Sequence, residues 1–189
     1  MEELTTHINS YFGLKKESVG KIEELFKEEI ISKGTLHTRQ SQYNSSLSFI
    51  KRGFMRISAL SDGREITQWV AAEGEFVTDL SGLVFGQPAR WNIQAITDCE
   101  LFTIHASDYR KINEVLPEWA QLEKAFLAKC FATLEDRVFS FLSMSAEERY
   151  HKMLTEKADL FNQIPLQYIA SMLGMTPETF SRIRKKLSS

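Results

Sequence analysis

Cysteine is scarce: the sequence holds only Cys99 and Cys130 in 189 residues. They stand far apart, with no second Cys or His at metal-ligand spacing. Neither a zinc site nor a disulfide framework is indicated, and two ordinary buried thiols are expected. Proline (4) and glycine (9) are also few. With 43% hydrophobic and 11% aromatic residues, this excludes collagen-like, low-complexity and globally disordered chains. No apolar run approaches the roughly 18 residues of a membrane span, and Met1-Glu2-Glu3-Leu4 does not open a basic-then-apolar leader. A cytoplasmic protein without a membrane partner is expected. The chain also lacks a nucleophile elbow, a phosphate-binding glycine loop and a metal constellation, so an enzyme has little support and no catalytic residue is assigned.

Charge of one sign is lacking overall, with a net charge of −2, but it is unevenly placed. From Arg149 to Ser189 there are seven Lys/Arg against three acids, whereas the other 148 residues carry sixteen against twenty-two. A basic end module is a candidate for phosphate contact.

Periodicity divides the chain. Leu4, Ile8, Tyr11, Phe12, Val19, Ile22, Leu25 and Phe26 have helical spacing over the first thirty residues. From Ile30 to about Ile104 short β-rich runs follow (47–58, 65–70, 92–96 and 100–104). Ser61-Asp62-Gly63 is a hairpin turn, and Gly74, Gly82, Gly86 and Pro88 are breaks, which predicts a small sandwich or roll. Beyond Ser107 the pattern is helical. Trp119, Leu122, Phe126, Cys130, Leu134, Val138 and Phe141 form one stripe; Leu127, Phe131 and Leu142 form a second. One flank suits the roll, and the other suits a second copy of the same helix. The competing reading wedges the helix between roll and C-terminal module, with no dimer. A hinge is expected near Ser143-Met144-Ser145, with Ser145 as N-cap of the next helix.

The stretch Ile164 to Leu187 reads as two helices and a tight turn. Ile169, Ala170 and Leu173 face inward, Gly174 ends the first helix in the left-handed conformation, Thr176 caps the second, and Pro177 takes its first position. Phe180, Ile183 and Leu187 anchor the second helix from behind. That leaves a polar, basic face. Arg182 suits guanine O6 and N7, and Glu178 suits a cytosine amino group. Thr176, Thr179 and Ser181 suit a base or phosphate, and Arg184, Lys185 and Lys186 suit the backbone. A solvated basic helix ending a small bundle is the bland alternative.

These residues resemble the helix-turn-helix of the Crp/Fnr family of bacterial transcription regulators (the cyclic AMP receptor protein and fumarate-nitrate regulator family). Glu178-Thr179-Phe180-Ser181-Arg182 is similar to the E-T-x-S-R recognition-helix pattern of its oxygen-sensing branch. The resemblance covers nearly the whole chain. The segment 47–57 is similar to a strand pair of the family's cyclic-nucleotide-binding β-roll, 95–101 to the strand after its phosphate cassette, and 117–142 to its dimerisation helix. It implies an α+β chain with a cyclic-nucleotide-binding-like β-roll sensor (1–115), a dimerisation helix (116–143) and a helix-turn-helix (144–189). It further implies a cytoplasmic homodimer on double-stranded DNA, regulating transcription, with a small-molecule effector and RNA polymerase as candidate further partners.

The sequence also departs from that pattern. Gly74-Glu75-Phe76-Val77 resembles the approach to the phosphate cassette, but Thr78-Asp79 stands where the family has G-E. Ala89 takes the place of the phosphate-binding Arg, with Arg90 and Trp91 after it. An anion buried without a cation or aligned N–H donors is costly, and a one-residue shift turns an extended side chain to the opposite face. Glu75, Asp79, Arg90 and Trp91 are therefore the candidate ligand-pocket residues, with no cofactor expected and cyclic AMP disfavoured as occupant. Packing and a surface ion pair are the plainer account of Asp79, Arg90 and Trp91. The oxygen-sensing branch uses an N-terminal cysteine cluster for iron–sulfur, and no Cys precedes Cys99 here; haem-binding relatives use an axial His, whereas His7, His37, His105 and His151 are scattered. No metal is assigned. The family's β-hairpin wing has no counterpart in the two residues after Leu187, so affinity is expected to lean on dimerisation. The alternative function is a ligand-binding or protein-interaction module whose helix-turn-helix is vestigial.

Overall fold

The computed structural model of the protein describes residues 22, 24–43 and 45–187. Its strands are β1 (Lys27–Ile31), β2 (Leu36–Thr38), β3 (Ser46–Arg52), β4 (Met55–Ser61), β5 (Arg64–Ala71), β6 (Phe76–Thr78), β7 (Asn92–Ala95) and β8 (Cys99–His105). They form two antiparallel four-stranded sheets, β1-β8-β3-β6 and β2-β7-β4-β5, the two halves of a roll. Ile50, Met55, Val77, Ile93 and Leu101 fill the space between them. Both faces of β3 are covered, so Ser46 to Ile50 are buried in succession although two of them are serines. Ile50 points into the roll, while Leu47 and Phe49 point out into a second core with Phe102, Ile104, Ile112 and Trp119.

The β4–β5 hairpin turns at Asp62 (φ 49°) and Gly63 (φ 74°), the two consecutive left-handed positions that a right-twisted hairpin favours. The run read as 47–58 is two strands, parted at Gly53. Three strands did not stand out in the sequence. Lys27–Ile31 was expected to end a helix and instead pairs with β8. The expected helical positions from Leu4 to Val19 lie outside the described residues.

The helices are α1 (Leu80–Phe85), α2 (Ala106–Tyr109), α3 (Ile112–Val115), α4 (Trp119–Ser143), α5 (Ala146–Glu156), α6 (Leu160–Gln163), α7 (Leu166–Met172) and α8 (Pro177–Leu187). Helix α4 leaves the roll part-way along. Trp119, Leu122 and Phe126 pack on the outward face of the β1-β8-β3-β6 sheet. From there on Phe131, Leu134, Val138 and Leu142 are 61, 48, 50 and 81% exposed. Cys130 is exposed as well, contrary to the expected buried thiol, because the helix has by then outrun the sheet; Cys99 is buried. The expected break follows Ser143. Ser145 caps α5 in a reciprocal capping box, accepting from Glu148 N–H at 3.3 Å while its own N–H donates to the Glu148 carboxylate at 2.7 Å.

Candidate nucleic-acid interface and sensor cassette

Helix α7, a turn and α8 form the helix-turn-helix. Ile169, Ala170 and Leu173 are buried, Gly174 has φ 68° and Thr176 Oγ1 accepts the Thr179 N–H at 3.2 Å. Gly174 is required twice over. Its φ is left-handed, and a Cβ there would lie 2.7 Å from the Phe141 ring of α4. Phe180 and Ile183 anchor α8 from behind in a buried cluster with Ile169 and Ala170 of α7, where Phe180 stacks on Phe161 and meets Tyr150 edge-on. Leu187, expected to help, is 39% exposed, since it lies past the last neighbour it could pack on.

The face opposite those anchors is open. Thr176, Glu178, Ser181, Arg182, Arg184, Lys185 and Lys186 are exposed and Thr179 is half-buried. Glu178 accepts from its own backbone N–H and from the Thr176 hydroxyl, which holds its carboxyl below the usual range and keeps it an acceptor. Lys186 pairs with Glu147 of α5 at 2.9 Å, an exposed contact that a phosphate can replace.

The four cassette residues do not assemble into one pocket. Asp79 is 1% exposed and caps α1. Its carboxylate accepts three backbone N–H groups, from Gly82 at 2.9 Å and from Arg90 and Trp91 at 2.8 and 3.1 Å. The converging donors are thus already occupied by an anion that belongs to the chain. The surface ion pair expected between Asp79 and Arg90 does not form. The Arg90 guanidinium is exposed, 5.4 Å from the Trp91 ring, and Ala89 offers a buried methyl where a cation would be needed. Asp79→Ala would strand three N–H donors, with an expected loss of about 3 kcal/mol in stability. Urea denaturation measures it; a loss under about 1 kcal/mol would show that the carboxylate does not hold the cassette closed.

Glu75 looks elsewhere. One of its oxygens meets Lys157 Nζ at 2.6 Å, just past α5, and the other accepts from Trp69 Nε1 at 3.3 Å. It belongs to a seam, not found in the sequence, along which the helix-turn-helix docks on the roll. The Thr67 N–H donates to Ser171 Oγ at 2.9 Å, Arg56 lies 4.1 Å from the Tyr168 ring, and Arg137 Nη2 donates to the Met172 carbonyl at 2.8 Å. Val70 and Ile96 of the roll share a buried cluster with Tyr150, Met153 and Ile169. A cleft of about 860 Å³ opens beside this seam, between the roll and α5–α6.

Residues 28–114 match the family model described as cyclic nucleotide-binding domain. The whole architecture recurs in solved structures. FixK2 from Bradyrhizobium japonicum is similar with a TM-score of 0.73 at 22% identity, over 86% of this chain and 84% of that one. The catabolite activator protein of Thermus thermophilus gives 0.59 at 24% identity, over 94% and 85%. The chain has the fold of the Crp/Fnr regulators. CLP, the c-di-GMP responsive global regulator of Xanthomonas campestris, has the same Crp/Fnr fold, at a TM-score of 0.67 and 18% identity over 92% of both chains. No curated protein matches the sequence. In Crp/Fnr terms the structure describes roll, long helix and helix-turn-helix, and among the described residues no helix is long and apolar enough to cross a membrane and no His/Cys/Asp/Glu group could hold a metal.

Proposed function

We propose that the chain is a dimeric, sequence-specific DNA-binding transcription regulator that works in the cytoplasm, and that its roll does not respond to cyclic AMP. The observation that carries this reading is the outward face of α8, where Glu178, Ser181 and Arg182 are exposed in the first turns and three cations follow. A helix with short polar groups and an Arg in front and cations behind meets base edges first and phosphates after. Arg182 is assigned to guanine, Glu178 to a cytosine amino group, Thr176, Thr179 and Ser181 to base or phosphate, and Arg184, Lys185 and Lys186 to the backbone. The exposed stripe Phe131, Leu134, Val138 and Leu142 supplies the dimer. Its steps of three and four suit a helix pair, and a paired helix would present two α8 helices to successive major grooves.

Two features argue against cyclic AMP: Asp79 consumes the N–H donors, and Ala89 supplies no cation. CLP responds to c-di-GMP, so this fold is not tied to one effector. Selection from a random duplex library at moderate salt tests the proposal. Enrichment of a two-fold symmetric site supports it. Enrichment of no motif would favour the non-DNA-reading module.

A further inference from the structure

A second cavity, of about 220 Å³, lies where β5, α4, α5 and the end of α7 meet. Its walls are aromatic and cationic. Trp69 and Phe141 contribute rings, and Arg137, Arg149, Lys152 and Lys157 line it, against the carboxylates of Asp136 and Glu156. Two of the cations are already engaged. Lys157 is paired with Glu75 at 2.6 Å, and Lys152 lies 4.0 Å from Glu156. The two guanidiniums are not neutralised in this way. Arg137 donates to the Met172 carbonyl, and Arg149 donates to the Leu173 and Met144 carbonyls. Among the described residues neither has a carboxylate within ion-pair distance. Both stand near the same Phe141 ring, at 5.6 and 4.9 Å, and Arg137 also lies 5.2 Å from Trp69. Burial lowers the Arg137 pKa, the direction expected of a cation short of counter-charge.

We infer that this junction cavity is a binding site for a small planar anion of the aryl-carboxylate class, its ring against Trp69 and Phe141 and its carboxylate on Arg137 and Arg149. Trp69 and Phe141 offer an aryl ring contact beside the cations that lie near them, and a carboxylate supplies the charge the two guanidiniums lack while accepting their remaining N–H donors in fork geometry. The volume is below the usual range for drug-sized ligands and suits about ten heavy atoms better than a nucleotide. The site is separate from the cassette at Asp79. Its α4 residues, Thr133, Asp136, Arg137, Ser140 and Phe141, are distinct from Phe131, Leu134, Val138 and Leu142 of the exposed stripe. Because the walls come from roll, long helix and helix-turn-helix, an occupant favours the docked arrangement by its differential affinity for it. The inference does not rest on DNA reading, since its test uses the free protein.

The test titrates the full chain with benzoate and with neutral benzamide, following tryptophan fluorescence. Trp69→Phe assigns the signal among the three tryptophans. Benzoate is expected to bind saturably with a Kd of order 0.1 mM, and benzamide at least ~10-fold more weakly. Arg137→Gln, which keeps a donor for the Met172 carbonyl, should weaken benzoate by ~10-fold or more with an unchanged circular dichroism spectrum. Lys152→Glu at the rim should weaken it several-fold, and it carries the test if Arg137→Gln does not fold. Arg90→Ala should change nothing. Equal affinity for benzoate and benzamide, no saturable change up to ~10 mM, or loss on Arg90→Ala with Lys152→Glu unaffected would each overturn the assignment.

Discussion

Arg182→Ala lowers affinity for the selected symmetric duplex by roughly 30- to 10⁴-fold while leaving binding to random duplex nearly intact. The size follows from about 1–3 kcal/mol for a bidentate Arg–guanine contact, taken twice in a dimer. The selectivity follows from position: Arg182 is exposed one residue before the anchor Ile183, on the outward side of α8. Lys185→Ala is the contrasting case. A phosphate contact carries no sequence information, so its loss weakens specific and random duplexes alike and lowers the slope of log affinity against log salt by about two per dimer. Electrophoretic shifts across a salt series read both quantities together. If Arg182→Ala shifts the symmetric duplex as the unmodified protein does, α8 is not the reading element.

Much of that helix was legible in the sequence because its determinants are local. The Thr176 cap, Pro177, the left-handed Gly174 and the three-residue step from Phe180 to Ile183 act within about a dozen positions, and the structure realises each of them, Leu187 alone falling outside the buried set. The Asp62-Gly63 hairpin is local in the same way. What stayed hidden depends on partners distant in sequence. Lys27–Ile31 is charged and faces solvent on much of its surface, so only pairing with β8 makes it a strand. Asp79 looks like half of a ligand site until the N–H groups of Arg90 and Trp91, eleven and twelve residues on, are seen to converge on it. Arg56 and Arg137 give no periodic signal, yet Arg56 of the roll and Arg137 of α4 both reach the helix-turn-helix, at Tyr168 and Met172. Cys130 continues the stripe begun by Trp119 and Phe126, and nothing in the spacing says that the sheet beneath ends first.

The same mismatch between helix and sheet gives the second large effect. Beyond Phe126 the helix carries Phe131, Leu134, Val138 and Leu142 into solvent in a single chain, a continuous apolar stripe of the kind that marks an interface. Their steps of three, four and four repeat those that bring a helix seam against its symmetry mate. Leu134→Glu combined with Val138→Glu places four carboxylates in that seam, two from each copy, and dimer is expected to give way to monomer in sedimentation. Phe139→Ser is the control. Phe139 is 67% exposed but lies about 100° around the helix from Val138, so its loss should leave the dimer intact. DNA binding follows the assembly. A monomer engages one half-site and forfeits the effective concentration of the second, so affinity for the symmetric duplex falls by about 10² to 10⁴ although α8 is untouched. A single half-site duplex is bound equally by both forms. Should the double variant remain dimeric, or should Phe139→Ser also dissociate the pair, the copies meet through a surface other than this stripe.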